Sequence, residues 1–288
     1  METVHILNPA AGQGGALKFS SLDNVYITNG VGDATKYVEN TLKESGAVNF
    51  AVYGGDGTVN EVVTGILNSG VKDATVTVVP TGTGNDLVRT VKEIPGDAVL
   101  ADVLTINDKY SVNAINTGFD LSVVLKAAEF KKKPMVSGSL AYIMGIAATL
   151  CGKFGRKINV KYTDENGVVE EFDDECLLAV AANAKYYGGG FKSAPAADIS
   201  DGLIDLLIVK KVSRAKFLML VSAYQKGLHI DTVKEKVVSK FSDILIFKKC
   251  KEIIIEGIEN ICADGEVFGA TTAKIGILPK AIKIVKAR

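Results

Sequence analysis

A carboxylate set among glycines is the part of this chain best suited to chemistry. The run Tyr53-Gly54-Gly55-Asp56-Gly57-Thr58-Val59-Asn60-Glu61 follows the apolar residues Phe50, Ala51 and Val52. Glycine leaves main-chain N–H groups clear of a Cβ, so a ligand can approach them closely. Thr58 and Glu61 have the spacing of a helix capping box, and Val62, Val63, Ile66 and Leu67 continue at helical period. Strand, glycine loop and helix N-terminus together make an anion site, because unpaired N–H groups and the helix dipole both face the loop. Asp56 would repel a phosphate there unless a cation lay between them. The residue types therefore read as a site for a nucleotide with Mg²⁺.

Two more loops share that character. Asn8-Pro9-Ala10-Ala11-Gly12 follows a short strand over 4–7, and Pro80-Thr81-Gly82-Thr83-Gly84-Asn85-Asp86 follows one over 76–79. The alternating Thr and Gly suit close packing against a nucleotide, and Asn85 or Asp86 suits the start of a helix. Arg89, one turn further on, would face the same cleft as a fixed cation for phosphate, or lie on the surface as arginines commonly do. These loops need a frame. A strand over 25–28 ending in Thr28, and a helix from Asp33 with the stripe Ala34, Tyr37, Val38 and Leu42 closed by Gly46, complete a strand–helix alternation over about 95 residues. Such alternation predicts an open, mostly parallel sheet, whose ligands bind at the carboxyl ends of the strands, where Thr28 and the glycine loops lie.

From about Gly96 the pattern changes. Segments 99–106, 110–116, 157–163, 168–172, 177–184, 203–209 and 244–287 are strand-like, with an Asn166-Gly167 hairpin turn between two of them. Only 137–152 and 215–228 read as helical. The expectation is an α/β domain over 1–95 and a β-rich domain over 96–275, with the active cleft between them.

Composition narrows the function. The 33 basic and 33 acidic residues cancel, which argues against nucleic acid as a partner. Cys151, Cys176, Cys250 and Cys262 form no C-x-x-C pair, so reduced thiols are expected rather than a zinc site or disulfides. His5 and His229 have no partners at ligand spacing. The N-terminus lacks a basic segment followed by an apolar one, and the longest apolar stretch, 140–150, falls short of the roughly 20 residues of a membrane span. A cytoplasmic protein that at most lies against a membrane is expected. No Gly-Lys-Ser/Thr follows a glycine loop and no G-x-G-x-x-G is complete, which disfavours P-loop enzymes and dinucleotide-dependent dehydrogenases.

Taken in order, Asn8 to Gly12, Gly54 to Glu61 and Pro80 to Asp86 resemble the catalytic domain of diacylglycerol and sphingosine kinases, in the bacterial soluble branch. The resemblance continues through Asn183-Ala184-Lys185-Tyr186-Tyr187-Gly188-Gly189-Gly190-Phe191, Pro195 to Asp198, Asp201 to Asp205 and Ala263-Asp264-Gly265-Glu266, covering nearly the whole chain. It implies an α/β nucleotide domain packed on a β-sandwich, with the last residues, 276–288, returning to the first domain. It implies transfer of the γ-phosphate of ATP to a membrane lipid hydroxyl, diacylglycerol first, with Asp264 as base. Asn8, Pro9, Ala10, Ala11, Gly12, Thr28, Gly54, Gly55, Asp56, Gly57, Thr58, Asn60, Glu61 and Thr83 would hold ATP, with Asn85 and Arg89 beside them. Asp201, with backbone oxygens of Asp198 and Leu203, resembles the family's Mg²⁺ position in the second domain. Asp56, Asp86 and Asp201 would need a shared cation if they met across the cleft.

Three readings stay open around this core. Asp264-Gly265 taken alone is a hairpin turn, and Glu266, two residues on and on the same strand face as Asp264, would orient a substrate or metal, or be merely exposed. Phe130-Lys131-Lys132-Lys133-Pro134-Met135, ahead of the apolar segment, would meet anionic lipid heads or be a solvated charge run. The chain departs from the family in one place: only about ten residues separate Gly12 from the second strand, and Gln13 stands where a basic residue would help the phosphates, so the first crossover must be short. The competing classes are a soluble-metabolite kinase of the NAD kinase type and a non-catalytic nucleotide or lipid sensor. A homodimer is compatible with either.

Overall fold

The computed structural model describes residues 2–45, 48–82, 84–132, 138–152 and 154–287. Thr83, Gly46 and the Lys133-Pro134-Met135 part of the basic run, each singled out above, lie outside the described residues. The N-terminal half supplies strands β1 (Glu2–Leu7), β2 (Val25–Ile27), β3 (Val48–Gly54) and β4 (Thr75–Pro80), and helices α1 (Asp33–Ser45), α2 (Asp56–Ser69) and α3 (Asp86–Glu93). β1 pairs in parallel with β2 and β3, and β3 with β4. The apolar stripes that predict the helices are the ones they bury: Ala34, Val38 and Leu42 of α1, and Val59, Val62, Val63 and Ile66 of α2, join Phe50, Val52 and Val76 of the sheet in one core. The short first crossover is a 3₁₀ helix, Ala11–Phe19, packed against Leu7, Ala51 and Tyr53.

The second half holds β5 (Ala98–Ile106), β6 (Lys109–Ser111), β7 (Ala114–Gly118), α4 (Phe119–Lys131), α5 (Gly138–Cys151), β8 (Arg156–Asp164), β9 (Val169–Ala182), β10 (Ile204–Lys210) and α6 (Arg214–Lys226). A short hairpin, β11 (Ile230–Asp231) and β12 (Lys236–Val237), precedes β13 (Leu245–Glu256), β14 (Asn260–Ala263), β15 (Glu266–Gly269) and β16 (Thr272–Lys286). Pairing there is antiparallel: β9 with β7, β8 and β10, and β13 with β8, β10 and β16. Leu104, Ile158, Val160, Leu206, Ile253 and Ile275 are among the residues that fill this sandwich core. The chain is thus an α/β unit with a mostly parallel sheet joined to a β-sandwich.

Two strands run through both units. β16 begins against β13, bulges between Leu278 and Ile282, and ends with Lys283–Lys286 parallel to Thr75–Val78 of β4. β5 follows it along both legs. The buried Asp102 holds the bulge by accepting from the backbone N–H groups of Gly202 and Lys280 at 2.7 and 2.6 Å.

Local expectation and structure part at three places. α2 starts at Asp56 with Gly55 as its N-cap and no side-chain capping bond, two residues before the expected capping box. Thr58 instead accepts from Asn8, and Glu61 from the backbone of Ala34. α4 falls where the sequence shows no clear helical stripe, because Leu121, Val123, Val124, Leu125, Ala127 and Ala128 spread apolar residues around the whole helix. The segment expected as one strand over 110–116 breaks at Val112-Asn113 into β6 and β7. That corner turns out to be the centre of the site. Ile284 is almost fully buried where β16 meets β4 and β5, so Ile284→Ala should cost about 2–5 kcal/mol in urea unfolding without changing the denaturant slope.

Candidate active site

Three loops meet at the carboxyl end of the parallel sheet. Asn8 Oδ1 accepts from the Ala10 N–H at 2.9 Å and its Nδ2 donates to Thr58 Oγ1 at 2.8 Å, tying the first loop to the first turn of α2. Gly12 has φ +55°, and a Cβ there would overlap the Thr81 carbonyl oxygen of the third loop. A Cβ on Gly82 would lie 2.5 Å from the Gly55 Cα. Glycine is required at both positions because backbone rests on backbone. Thr28 is buried at the end of β2, its N–H bonded to the Leu7 carbonyl. Glu61 points to the N-terminus of α1, and Asn60 donates to the Tyr110 carbonyl at 3.2 Å. These two hold elements together around the loops.

Asp56 has a use that its sequence does not reveal. Asn85, the residue before α3, sits in the left-handed region (φ +53°) with its Nδ2 donating to the Gly82 carbonyl, and its Oδ1 makes no capping bond to α3. Asp56 caps that helix from outside, accepting from the N–H groups of Asp86 and Leu87 at 3.0 Å each. A carboxylate at a helix N-terminus is favoured by both the free N–H groups and the dipole.

Asp86 is 4% exposed and lies across from it. Its Oδ2 accepts from the Gly189 N–H at 2.8 Å, while its Oδ1 is buried without a hydrogen-bond partner, 3.7 Å from the Arg89 Nε. Burial pushes the Asp86 carboxyl up from its ordinary value and the Asp56 charge adds to this, against the lowering pull of the Gly189 and Gly190 N–H groups. Gly188, Gly189 and Gly190 all have positive φ, which lets this segment of the sandwich turn its N–H groups toward α3.

Asp264 comes from the far end of the chain. With Gly265 it forms the two-residue turn between β14 and β15, both at positive φ (+48° and +88°), as a primed hairpin turn requires. Its carboxylate accepts from Val112 N at 2.6 Å, Asn113 N at 2.9 Å and Ala114 N at 3.2 Å, at the corner between β6 and β7. Asn113 then reaches with its side-chain Nδ2 to Asp56 Oδ1 at 3.3 Å. One residue thus links the two carboxylates. Burial pushes the Asp264 carboxyl up to about 6 despite the three N–H donors.

A cavity of about 240 Å³ opens here, lined by Asp56, Asp86, Asn113, Asp264, Gly188 and Gly189 with others. Asp120, in the first turn of α4, lines it too. Its carboxyl, pushed up to about 6 by burial, accepts from the Tyr187 hydroxyl, which lies 3.0 Å from that of Tyr224. Cys262, also at the wall, is a buried thiol pushed up to about 11, so its thiolate is disfavoured.

Two expected site residues lie elsewhere. Glu266 is exposed and only loosely paired with Lys109 at 3.9 Å. The same-face rule fails because Asp264 sits in the turn, not in the strand that Glu266 begins. Asp201 does not line the cleft with Asp56 and Asp86; its carboxylate is taken by Lys249 Nζ at 2.7 Å and by the Leu203 N–H at 2.9 Å. Conversely, Asn113, Asp120 and Tyr187 stand in the cavity wall without having been assigned a role. Tyr187 and the glycines belonged to a recognisable run. For Asn113 and Asp120, lone polar residues between apolar ones, no sequence signal exists.

Over residues 3–115 the chain matches the diacylglycerol kinase catalytic domain, and over 113–286 the YegS C-terminal NAD kinase beta sandwich-like domain. It belongs to the diacylglycerol kinase family of bacterial lipid kinases. The two matches meet at the Val112–Ala114 corner that receives Asp264. The chain is 27% identical to a Mycobacterium tuberculosis protein named diacylglycerol kinase, covering 98% of this chain and 94% of that one. It is 30% identical to the diacylglycerol kinase of Bacillus subtilis over 72% and 70%. A crystal structure of a diacylglycerol kinase from Bacillus anthracis superposes with a TM-score of 0.65 at 20% identity, covering 99% and 96%, a likeness of fold. Members of this lipid kinase family are phosphotransferases with an alcohol acceptor. The glycine contacts hold the family's loops together, so Gly12→Ala is expected to lower unfolding free energy by roughly 1–3 kcal/mol through backbone strain. Unchanged stability in chemical denaturation would refute the contact.

Proposed function

We propose that this chain transfers the γ-phosphate of ATP to the hydroxyl of a membrane lipid, diacylglycerol in the first instance, with Mg²⁺, at the cleft between Asp56 and Asp264. The observation that carries the reading is the Asn113 bridge, which seats a half-buried carboxylate of raised pKa opposite the glycine loops. The first turn of α2 and the bare loop backbone suit the phosphates. Arg89, half exposed beside Asp86 and Gly190, suits as their fixed cation. The buried, unpaired Oδ1 of Asp86 fits a hard cation, and Asp56, with three donors already on its oxygens, is better suited to support that ligand than to lead. When bound, Mg²⁺ would neutralise charge on the phosphates.

Asp264 would do the proton work. As the lipid hydroxyl oxygen bonds to the γ-phosphorus and the bond to ADP breaks, the hydroxyl proton passes to the Asp264 carboxylate. A group titrating near 6 is still ionised at neutral pH yet more basic than an ordinary aspartate, which suits a general base. The three N–H donors hold it in place, and positioning matters most in phosphoryl transfer.

An apolar acceptor is favoured by what adjoins the cleft. A second cavity, lined by Phe119, Val123, Leu150, Phe217, Leu220 and others, shares Asp120 and Phe191 with the first. Val124, Leu125 and Leu218, exposed apolar residues of α4 and α6, line these two cavities and a neighbouring one, and Met219 of α6 is exposed as well. Such a patch suits peripheral contact with a membrane.

The test is transfer of radiolabelled phosphate from ATP to diacylglycerol, other lipid alcohols in mixed micelles, and NAD. Lipid labelling is expected; labelling of NAD alone would move the chain to the soluble-metabolite class, and nucleotide binding without turnover would make it a sensor. Asp264→Asn should keep nucleotide binding and lose at least about 100-fold in turnover. Because Asp264 must be ionised, kcat should fall about tenfold per pH unit below about 6 and level off above it. Asp120→Asn should leave that limb in place; its disappearance would assign the limb to Asp120.

A further inference from the structure

The turn Asp198–Leu203 was expected to hold a divalent cation through the Asp201 carboxylate and the backbone oxygens of Asp198 and Leu203. Its residues do not fit one. Lys249, on β13, stands directly opposite Asp205 of β10 in the sheet register. Its side chain is only 8% exposed, and its Nζ lies 2.7 Å from Asp201 Oδ2, 3.6 Å from Asp205 Oδ2 and 3.6 Å from Glu235 Oε1. The other Asp201 oxygen accepts from the Leu203 N–H, and Asp198 Oδ1 accepts from the N–H and hydroxyl of Ser200. Asp205 is 1% exposed, and neither of its oxygens has a hydrogen-bond partner. A buried carboxylate in that state needs a positive charge close by, and among the described residues Lys249 supplies it.

We propose that the Lys249 ammonium stands in for the divalent cation at this turn, so that the sandwich domain is closed by its own side chain and takes up no metal there. An ion coordinated by Asp201 would sit about 2.0–2.6 Å from the carboxylate oxygen, against a buried ammonium on the same oxygen. Two cations cannot share it without strong repulsion. The ammonium's three donors and compact charge suit three carboxylates arriving from separate elements: Asp201 from the turn, Asp205 from β10, and Glu235 from the β11–β12 hairpin. The same turn is fastened to the first domain, because Gly202 donates to Asp102 beside the β16 bulge. An internal cation thus keeps the junction closed at any Mg²⁺ concentration, leaving the cleft at Asp56 and Asp86 as the place where metal acts. This extension does not depend on the acceptor assigned to the cleft.

The experiment measures thermal unfolding of the full chain in EDTA, Mg²⁺ or Ca²⁺, for the parent, Asp201→Asn, Lys249→Met and the double variant. The parent and Asp201→Asn should respond equally to metal, any common shift arising elsewhere. Lys249→Met should melt lower by roughly 6–15 °C, since it leaves buried carboxylates without their cation. It should recover part of that loss in Ca²⁺ or Mg²⁺, and the recovery should vanish in the double variant. A parent stabilised by metal in an Asp201-dependent way would overturn the proposal, as would a Lys249→Met variant with parental stability. Should Lys249→Met fail to fold, equilibrium dialysis of the parent and Asp201→Asn against radioactive Ca²⁺ decides. Equal binding supports the internal ammonium, and one site lost with Asp201 refutes it.

Discussion

Three consecutive N–H groups at the corner between β6 and β7 hold the Asp264 carboxylate, and everything else at the site depends on that hold. The corner ends the first family domain and begins the second. A carboxylate delivered there from a hairpin turn fixes the corner from which Asn113 reaches the α/β unit. The Asn113 side chain carries the link on to Asp56, which organises the third glycine loop by capping α3. The Asp264 carboxylate and the glycine loops are therefore placed by a single short chain of hydrogen bonds.

The carboxylates crowd together because each has something to answer its charge. Asp56 has a helix N-terminus. Asp264 has three peptide N–H groups. Asp86 has the Gly189 N–H and a nearby Arg89, with one oxygen left over. Burial wins against these donors at Asp86 and Asp264, so both carboxyls lie above their ordinary range. At Asp264 the peptide dipoles hold the acid in position while burial keeps it more basic than an ordinary aspartate, a combination suited to accepting a proton near neutrality. At the far side of the junction, Asp201, Asp205 and Glu235 share a side-chain ammonium instead.

Much of this was legible in the chain itself. The strand–helix alternation, the three glycine loops at one sheet edge, the Asn166-Gly167 hairpin, α6 and the turn character of Asp264-Gly265 are all local properties. They follow from steric freedom at glycine, from apolar periodicity, and from the twist that primed turns match. α4 was not legible, because its apolar residues fall on all sides of the helix rather than in one stripe. Neither was the break at Val112-Asn113, since nothing local requires a strand to bend there.

What the tertiary structure alone decided is who meets whom. Asp264 and Val112 are 152 residues apart, Asp56 and Asn113 57, and Lys249 and Asp201 48. No period of 2 or 3.6 residues encodes such pairs, because they arise only when distant strands pair in register and β5 and β16 run through both units. The residues that could do chemistry are a property of the sequence. Whether Glu266 or Asp264 faces the cleft, and whether Asp201 sees a metal or an ammonium, depends on turn conformation and strand register, which the packed cores set.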